Sequence, residues 1–158
     1  MSMRVGHGFD VHPFSDDADR ALVLGGVAFD GERGLAGHSD ADVVAHACAD
    51  ALLGAAGLGD LGRHFPDTDP RWAGADSLTL LTEVVRMVRD SGWTVANADC
   101  TVVAEAPRLA PHRADMEERL STAAGAPVTV KATTAEGLGA IGRGEGIAAH
   151  AVALLVAT

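Results

Sequence analysis

The chain is short of cysteine, nearly devoid of lysine and free of long apolar runs. Cys48 and Cys100 are the only cysteines in 158 residues. Two cysteines do not make a disulfide-stapled secreted scaffold, and a reduced, cytoplasmic protein is the better reading. The longest purely apolar run near the C-terminus, Ala151 to Ala157, falls far short of a membrane span. Arg4, His7 and Asp10 interrupt the N-terminus where a signal peptide would need continuous apolar sequence. Basic residues are scarce too: 12 stand against 22 acidic ones, for a formal charge of -10, and Lys131 is the only lysine. That balance argues against a broad electrostatic nucleic-acid surface, while a few local donors can still hold an anionic small ligand. There is no internal repeat and no linker. The length predicts one domain over residues 1–158, able to bury roughly 70% of its unfolded surface without a disulfide or a metal for folding.

Periodicity and turn residues lay out the elements. Arg4 to His12 reads as a strand, and Leu22–Leu24 and Val27–Phe29 as extended chain around the Gly25-Gly26 turn. Ala41 to Ala56 reads as a helix, with Ser39 as its cap, Asp42 three residues on, and Gly57 and Gly59 ending it. Gly59 to Asp69 is a turn-rich loop. Leu78, Leu81, Val84, Val85 and Val88 give helical spacing to Ser77–Arg89. A strand follows over Trp93–Ala104, a third helix from Pro111 to Ala124, and strands over Val128–Lys131 and Ile147–Ala157. His150 interrupts the last strand, and its bland reading is a satisfied edge-strand histidine. Ser15–Asp19 and the first two residues are disorder-prone. The order of elements predicts an α+β or α/β sandwich. Three helices against one sheet would leave its other face needing cover, and subunit packing is a reasonable solution.

Four segments carry chemistry. Asp10 and His12, one residue apart on a strand, share a face, and carboxylate and imidazole both ligate a cation such as zinc. His46 offers a third ligand, and Asp42 shares its helix face. Two histidines and a carboxylate would leave a tetrahedral site open to a substrate oxygen. The same spacing equally describes a surface pair and an unrelated helix histidine. His38-Ser39-Asp40 precedes the helix, where backbone donors can receive phosphate, or where Ser39 is simply a cap. Phe65-Pro66-Asp67-Thr68-Asp69-Pro70 is a rigid polar turn able to meet ligand hydroxyls, and Asp60 has the same two readings. Lys131-Ala132-Thr133-Thr134-Ala135-Glu136 joins a cation, hydroxyls and a carboxylate that could bind phosphate and a divalent ion. Downstream, Gly142-Arg143-Gly144 could set a guanidinium by an anion. The Walker pattern is absent.

Together these segments resemble the 2-C-methyl-D-erythritol 2,4-cyclodiphosphate synthase family. The likeness runs from about Arg4 to Ala157. It rests on GHGFDVH at Gly6–His12, GHSDADVVAH at Gly37–His46, DALLGAAGLGDLGRHFPDTDP at Asp50–Pro70, AEAPRLAPH at Ala104–His112, KATTAEGLG at Lys131–Gly139 and GRGEGIAAHAVALL at Gly142–Leu155. The resemblance implies a two-layer α+β sandwich, helices on a mixed sheet, assembled as a homotrimer around a central cavity with active sites between subunits. It implies conversion of 4-diphosphocytidyl-2-C-methyl-D-erythritol 2-phosphate to the 2,4-cyclodiphosphate and CMP, on the methylerythritol phosphate route to isoprenoid precursors. Asp10, His12 and His46 would be zinc ligands, and Glu136 would help hold a second cation, magnesium or manganese. His38 and Thr134 would stabilise the transferring phosphates. Ser39, Asp60, Leu61, Gly62, Phe65, Pro66, Asp67, Thr68, Asp69 and Arg143 would contact the rest of the substrate. Ala104, Glu105, Ala106, Pro107, Arg108, Leu109, Lys131, Ala132, Thr133, Thr134, Ala135 and Glu136 would line the cytidine diphosphate. No nucleic acid or membrane partner is implied.

Three positions depart from the family pattern. Ala135 stands where threonine is common, Ala140 where a larger aromatic can occur near the cavity, and Arg108 where lysine is frequent. The length leaves no room for an attached cytidylyltransferase domain. Two other functions use the same residues: hydrolysis of a nucleotide or diphosphate by metal-bound water, and metal or nucleotide binding by a trimer without turnover.

Overall fold

The computed structural model describes residues 1–158. Six strands are formed: β1 (Met3–Pro13), β2 (Leu22–Leu24), β3 (Val27–Phe29), β4 (Trp93–Val103), β5 (Val128–Thr133) and β6 (Gly146–Ala157). Three longer helices, α1 (Val43–Ala56), α3 (Ser77–Asp90) and α4 (Arg113–Ala124), accompany two single turns, α2 (Leu61–His64) and α5 (Gly139–Gly142). Four strands make one mixed sheet in the order β1-β6-β4-β5, antiparallel except for the β4–β5 pair. The β2–β3 hairpin stands apart from it. Helices α1, α3 and α4 pack on one face of the sheet, giving the two-layer α+β sandwich implied by the motifs.

Glycines in β1 decide how closely the layers meet. A methyl group on Gly6 would lie 2.0 Å from the Ala51 carbonyl oxygen, and one on Gly8 would lie 1.9 Å from that of Ala47. Any side chain there would push α1 off the sheet. Ala47, Ala51 and Ala55 complete the contact with small side chains, and all three are buried. The helix therefore lies directly on β1. Strand alternation puts Asp10 and His12 on the face that Gly6 and Gly8 occupy. Val5, Phe9 and Val11 point the other way and are exposed, as is Val152 on β6. The second face of the sheet is open in the single chain, as three helices on one side require, and there these apolar side chains stand beside His7, His150, Asp99 and Lys131.

Several boundaries differ from the sequence reading. The α1 cap is Asp42, not Ser39; its carboxylate accepts from the N–H groups of Val44 and Ala45 and also from Gly25 and Gly26. A fully buried carboxylate thus ties the hairpin turn to the helix start and is unavailable to share a ligand face with His46. Ala41, at φ 57°, makes the sharp turn that separates Asp40 from Asp42. Pro111 sits in a 3₁₀ turn, Ala110–His112, and the regular helix begins at Arg113. Strand β5 extends to Thr133, paired with Val103, so Thr133 is in the strand and only Thr134 leaves it. The loop after Gly59 contains the turn α2 and a 3₁₀ turn over Pro70–Trp72. Residues 15–19 are held by Arg33, whose Nε–H donates to the Ser15 carbonyl. His150 lies on a central strand rather than an edge, facing the open side with its Nδ1 3.1 Å from His7 Nε2.

Candidate active site

Where β1 passes the first turn of α1, three side chains converge. Asp10 Oδ2 lies 3.1 Å from His12 Nε2 and 3.0 Å from His46 Nδ1. One donor atom from each residue falls within 4.8 Å of the others. The far nitrogen of His12 is already committed: Nδ1–H donates to the Ala36 carbonyl at 2.7 Å. This leaves the neutral ring's lone pair on Nε2, aimed at Asp10. The far nitrogen of His46 meets Ser77 Oγ at 2.8 Å and Ser39 Oγ at 3.2 Å. A carboxylate and two imidazole nitrogens directed at one point make a donor set that fits a divalent cation of borderline softness.

The charges reflect the same crowding. Burial opposes ionisation of Asp10, but the hydrogen bonds to His12 and His46 outweigh it and hold its carboxyl far below the ordinary 3.8. The hydrogen bond to Asp10 raises His12 above its ordinary 6.5, against the effect of burial. In the metal-free chain the Asp10 carboxylate thus favours the protonated form of His12.

These residues line a cleft of about 520 Å³. Its walls include Gly37, His38 and Ser39 from the turn before α1, Leu61 and Gly62 from α2, and Phe65, Pro66 and Asp67 beyond it. Asp60 Oδ1 accepts the Arg63 N–H and so caps α2. Asp69 caps the following 3₁₀ turn and pairs with Arg71 at 2.6 Å, while its carbonyl oxygen lies 3.1 Å from His38 Nε2. His38 is thereby leaned against the rim of the cleft. A larger groove of about 710 Å³ between α3 and α4 holds no histidine or cysteine among its lining residues.

A family model covers residues 3–156, the site included: the YgbB family. The chain belongs to the YgbB family. Among curated relatives, this YgbB chain is 55% identical to the 2-C-methyl-D-erythritol 2,4-cyclodiphosphate synthase of Trichlorobacter lovleyi, over 98% of its own length and 99% of that protein's. Among solved structures it is similar to the bifunctional IspDF of Campylobacter jejuni, with a TM-score of 0.94 and 41% identity, covering 99% of this chain and 43% of that one. It is also similar to the CDP complex of IspF from Plasmodium falciparum, with a TM-score of 0.85 and 29% identity, over 99% and 97% of the two chains.

In this YgbB chain residues 104–109 and 131–136 form a second group, on the opposite edge of the sheet. Asp10 pairs with Ala149, Ala149 with Val102, and Val102 with Ala132. Asp10 and Ala132 thus share one row, three strand spacings or about 14 Å apart. Around the end of β5, Ala104 N–H donates to the Thr133 carbonyl and Glu105 accepts the Ala135 N–H at 2.8 Å. Glu136 has φ 54°, and its N–H donates to Thr134 Oγ1 at 3.2 Å. The Ala106–Pro107 peptide is cis. Lys131 is not a free cation: its ammonium pairs with Asp99. Arg143 Nε donates to Glu145 at 2.6 Å. None of residues 104–109 or 131–136, nor Asp60, Thr68, Asp69 or Arg143, lines the Asp10 cleft of the same chain.

Sequence reasoning missed Asp50 and Trp72, which also line the cleft. Asp50 accepts the Leu61 N–H at 2.8 Å, and burial raises its carboxyl above the ordinary value. It stands one helical turn beyond His46, a spacing that could have flagged it. Trp72 packs edge-on to Phe65 with ring centres 5.0 Å apart. Nothing local in the sequence marked that contact.

Proposed function

We propose that this protein is a 2-C-methyl-D-erythritol 2,4-cyclodiphosphate synthase that works as a cytoplasmic homotrimer. It converts 4-diphosphocytidyl-2-C-methyl-D-erythritol 2-phosphate to the 2,4-cyclodiphosphate and CMP. The observation that carries this reading is the convergence of Asp10, His12 and His46 on one point of the cleft, in a chain of this family. The CDP held by the Plasmodium falciparum relative supports a cytidine diphosphate substrate.

Asp10, His12 and His46 would hold zinc, and Glu136 a second cation, magnesium or manganese. When bound, the cations would supply positive charge to phosphate oxygens and lower the cost of bringing two anionic groups together. A 2-phosphate oxygen of the substrate attacks the β-phosphorus. The bond from that phosphorus to the CMP oxygen breaks, and CMP leaves with the electron pair. No water is consumed and no side chain becomes covalently attached. His38 and Thr134 would donate to the transferring phosphate oxygens as charge develops. Asp60, the Phe65–Asp69 turn and Arg143 would orient the methylerythritol and phosphate portions. Residues 104–109 and 131–136 would hold the nucleotide, largely through backbone groups.

The trimer accounts for the two-edge arrangement. A cleft on β1 and a nucleotide segment on β5 meet when one subunit's β5 edge abuts the next subunit's β1 edge. The open face with its apolar patch of Val5, Phe9, Val11 and Val152 would then be buried around the axis. Product analysis with the named substrate, zinc-loaded protein and magnesium tests the reaction. Equal amounts of CMP and cyclodiphosphate, without oxygen from labelled solvent, are expected. Solvent oxygen in the product would make the protein a hydrolase, and no conversion by the metallated trimer would leave a binding role.

A further inference from the structure

The loop before α1 and the start of α3 are fastened together behind His46. Asp40 N–H donates to the Ala75 carbonyl, and Gly74 N–H donates to that of His38. The Asp40 carboxylate takes two bonds from one residue: Oδ2 accepts the Ser77 N–H at 3.1 Å, and Oδ1 accepts the Ser77 hydroxyl. Ser77 is the first residue of α3 and is buried, 1% exposed. Its oxygen also lies 2.8 Å from His46 Nε2, on the side of the ring away from Asp10.

Proton counting gives this chain a direction. A carboxylate only accepts, so the single Ser77 hydroxyl proton goes to Asp40. The Ser77 oxygen can then only accept from His46, which requires the imidazole proton on Nε2. That tautomer leaves the lone pair on Nδ1, the atom facing Asp10 Oδ2 at 3.0 Å. Ser39 Oγ, at 3.2 Å from the same Nε2, already accepts the Ala41 N–H and adds a weaker acceptor.

We propose that Asp40 and Ser77 are positioning residues of the metal centre: an Asp40–Ser77–His46 relay that sets the His46 tautomer, fixes its ring plane and strengthens Nδ1 as a ligand. The inference rests on the metal-binding reading of Asp10, His12 and His46. It assigns to α3 a part in the site through a residue that does not line the cleft. His12 is oriented by the Ala36 carbonyl, a neutral dipole; His46 is oriented by a full negative charge relayed through a hydroxyl. A charged outer partner makes the imidazole the more basic of the two ligands.

The test uses the zinc-loaded protein with nitrogen-15-labelled histidine. Nuclear magnetic resonance is expected to find the His46 proton on Nε2 and the metal on Nδ1; a proton on Nδ1 overturns the relay, whether or not any variant folds. Zinc affinity, measured by competition with a chelator, should fall roughly 10–100-fold in Ser77→Ala and in Asp40→Asn. The double variant should lose no more than either single one, because both break the same chain. Folded variants that bind zinc as the parent protein does would overturn the proposal while leaving the metal centre intact. A parent protein that binds no zinc would overturn the metal centre and the relay with it.

Discussion

Gly8 faces Ala47 at a separation that no other residue could keep: a methyl group on Gly8 would sit 1.9 Å from the Ala47 carbonyl oxygen. Because Ala47 follows His46 directly, this contact sets how far His46 stands from Asp10 and His12. Gly8→Ala is therefore expected to destabilise the fold by about 1–3 kcal/mol or more, as overpacking does. It should also weaken metal binding at the same time. Thermal melts and zinc titration check both effects; a variant with unchanged zinc affinity would show that the centre tolerates a shift of α1.

Removing a ligand should act on the metal first. His12→Ala and His46→Ala are each expected to lower zinc affinity by more than the roughly 10–100-fold typical of losing an outer partner. Turnover should fall with it. Elemental analysis of purified variants is the check, and full zinc in both would reject the ligand assignment.

The pH dependence follows from the opposed shifts of Asp10 and His12. The depressed Asp10 contributes stability that is present above its ordinary 3.8 and is lost as pH falls through the lower folded value. The raised His12 contributes stability that is complete below 6.5 and is lost as pH rises through its higher folded value. In metal-free protein the pair thus stabilises most between about 3.8 and 6.5. Melting temperatures of metal-free parent and His12→Gln should converge at high pH and separate within that window. Zinc must displace the His12 proton, so affinity should decline as pH drops below the raised His12 value.

Thr134→Ala should preserve assembly and slow turnover, by about 10²–10³-fold if its hydroxyl meets developing charge. An unchanged kcat would remove Thr134 from the chemistry.

Because Asp10 and Ala132 stand on opposite edges of the sheet, two inactive variants should rescue one another. In trimers reassembled from equal amounts of His12→Ala and Thr134→Ala chains, roughly one quarter of the sites would pair an intact cleft with an intact nucleotide segment. Activity should recover toward that fraction. No recovery after verified subunit mixing would place both halves within one chain.

The sequence by itself determined the hairpin around Gly25-Gly26, the C-terminal end of α1, the course of α3 and the shared strand face of Asp10 and His12. Each of these rests on local spacing: alternation puts Asp10 and His12 on one strand face, and the 3.6-residue repeat buries one side of α3. The family motifs then supplied what spacing left open. Only the tertiary structure decided which acidic residue does what before α1. Asp40, Asp42 and Ser39 are equally good caps on paper. The left-handed turn at Ala41 sends Asp42 inward to cap the helix and hold the hairpin, and turns Asp40 toward Ser77, 37 residues away. Strand order was equally invisible. Sequence carries no local record of which strands become edges, because pairing is decided by long-range packing. With β1 and β5 at opposite edges, Asp10 and Ala132 stand three strand spacings apart in the same chain. That separation is a property of the assembled sheet rather than of any segment, which is why no local stretch of sequence records it.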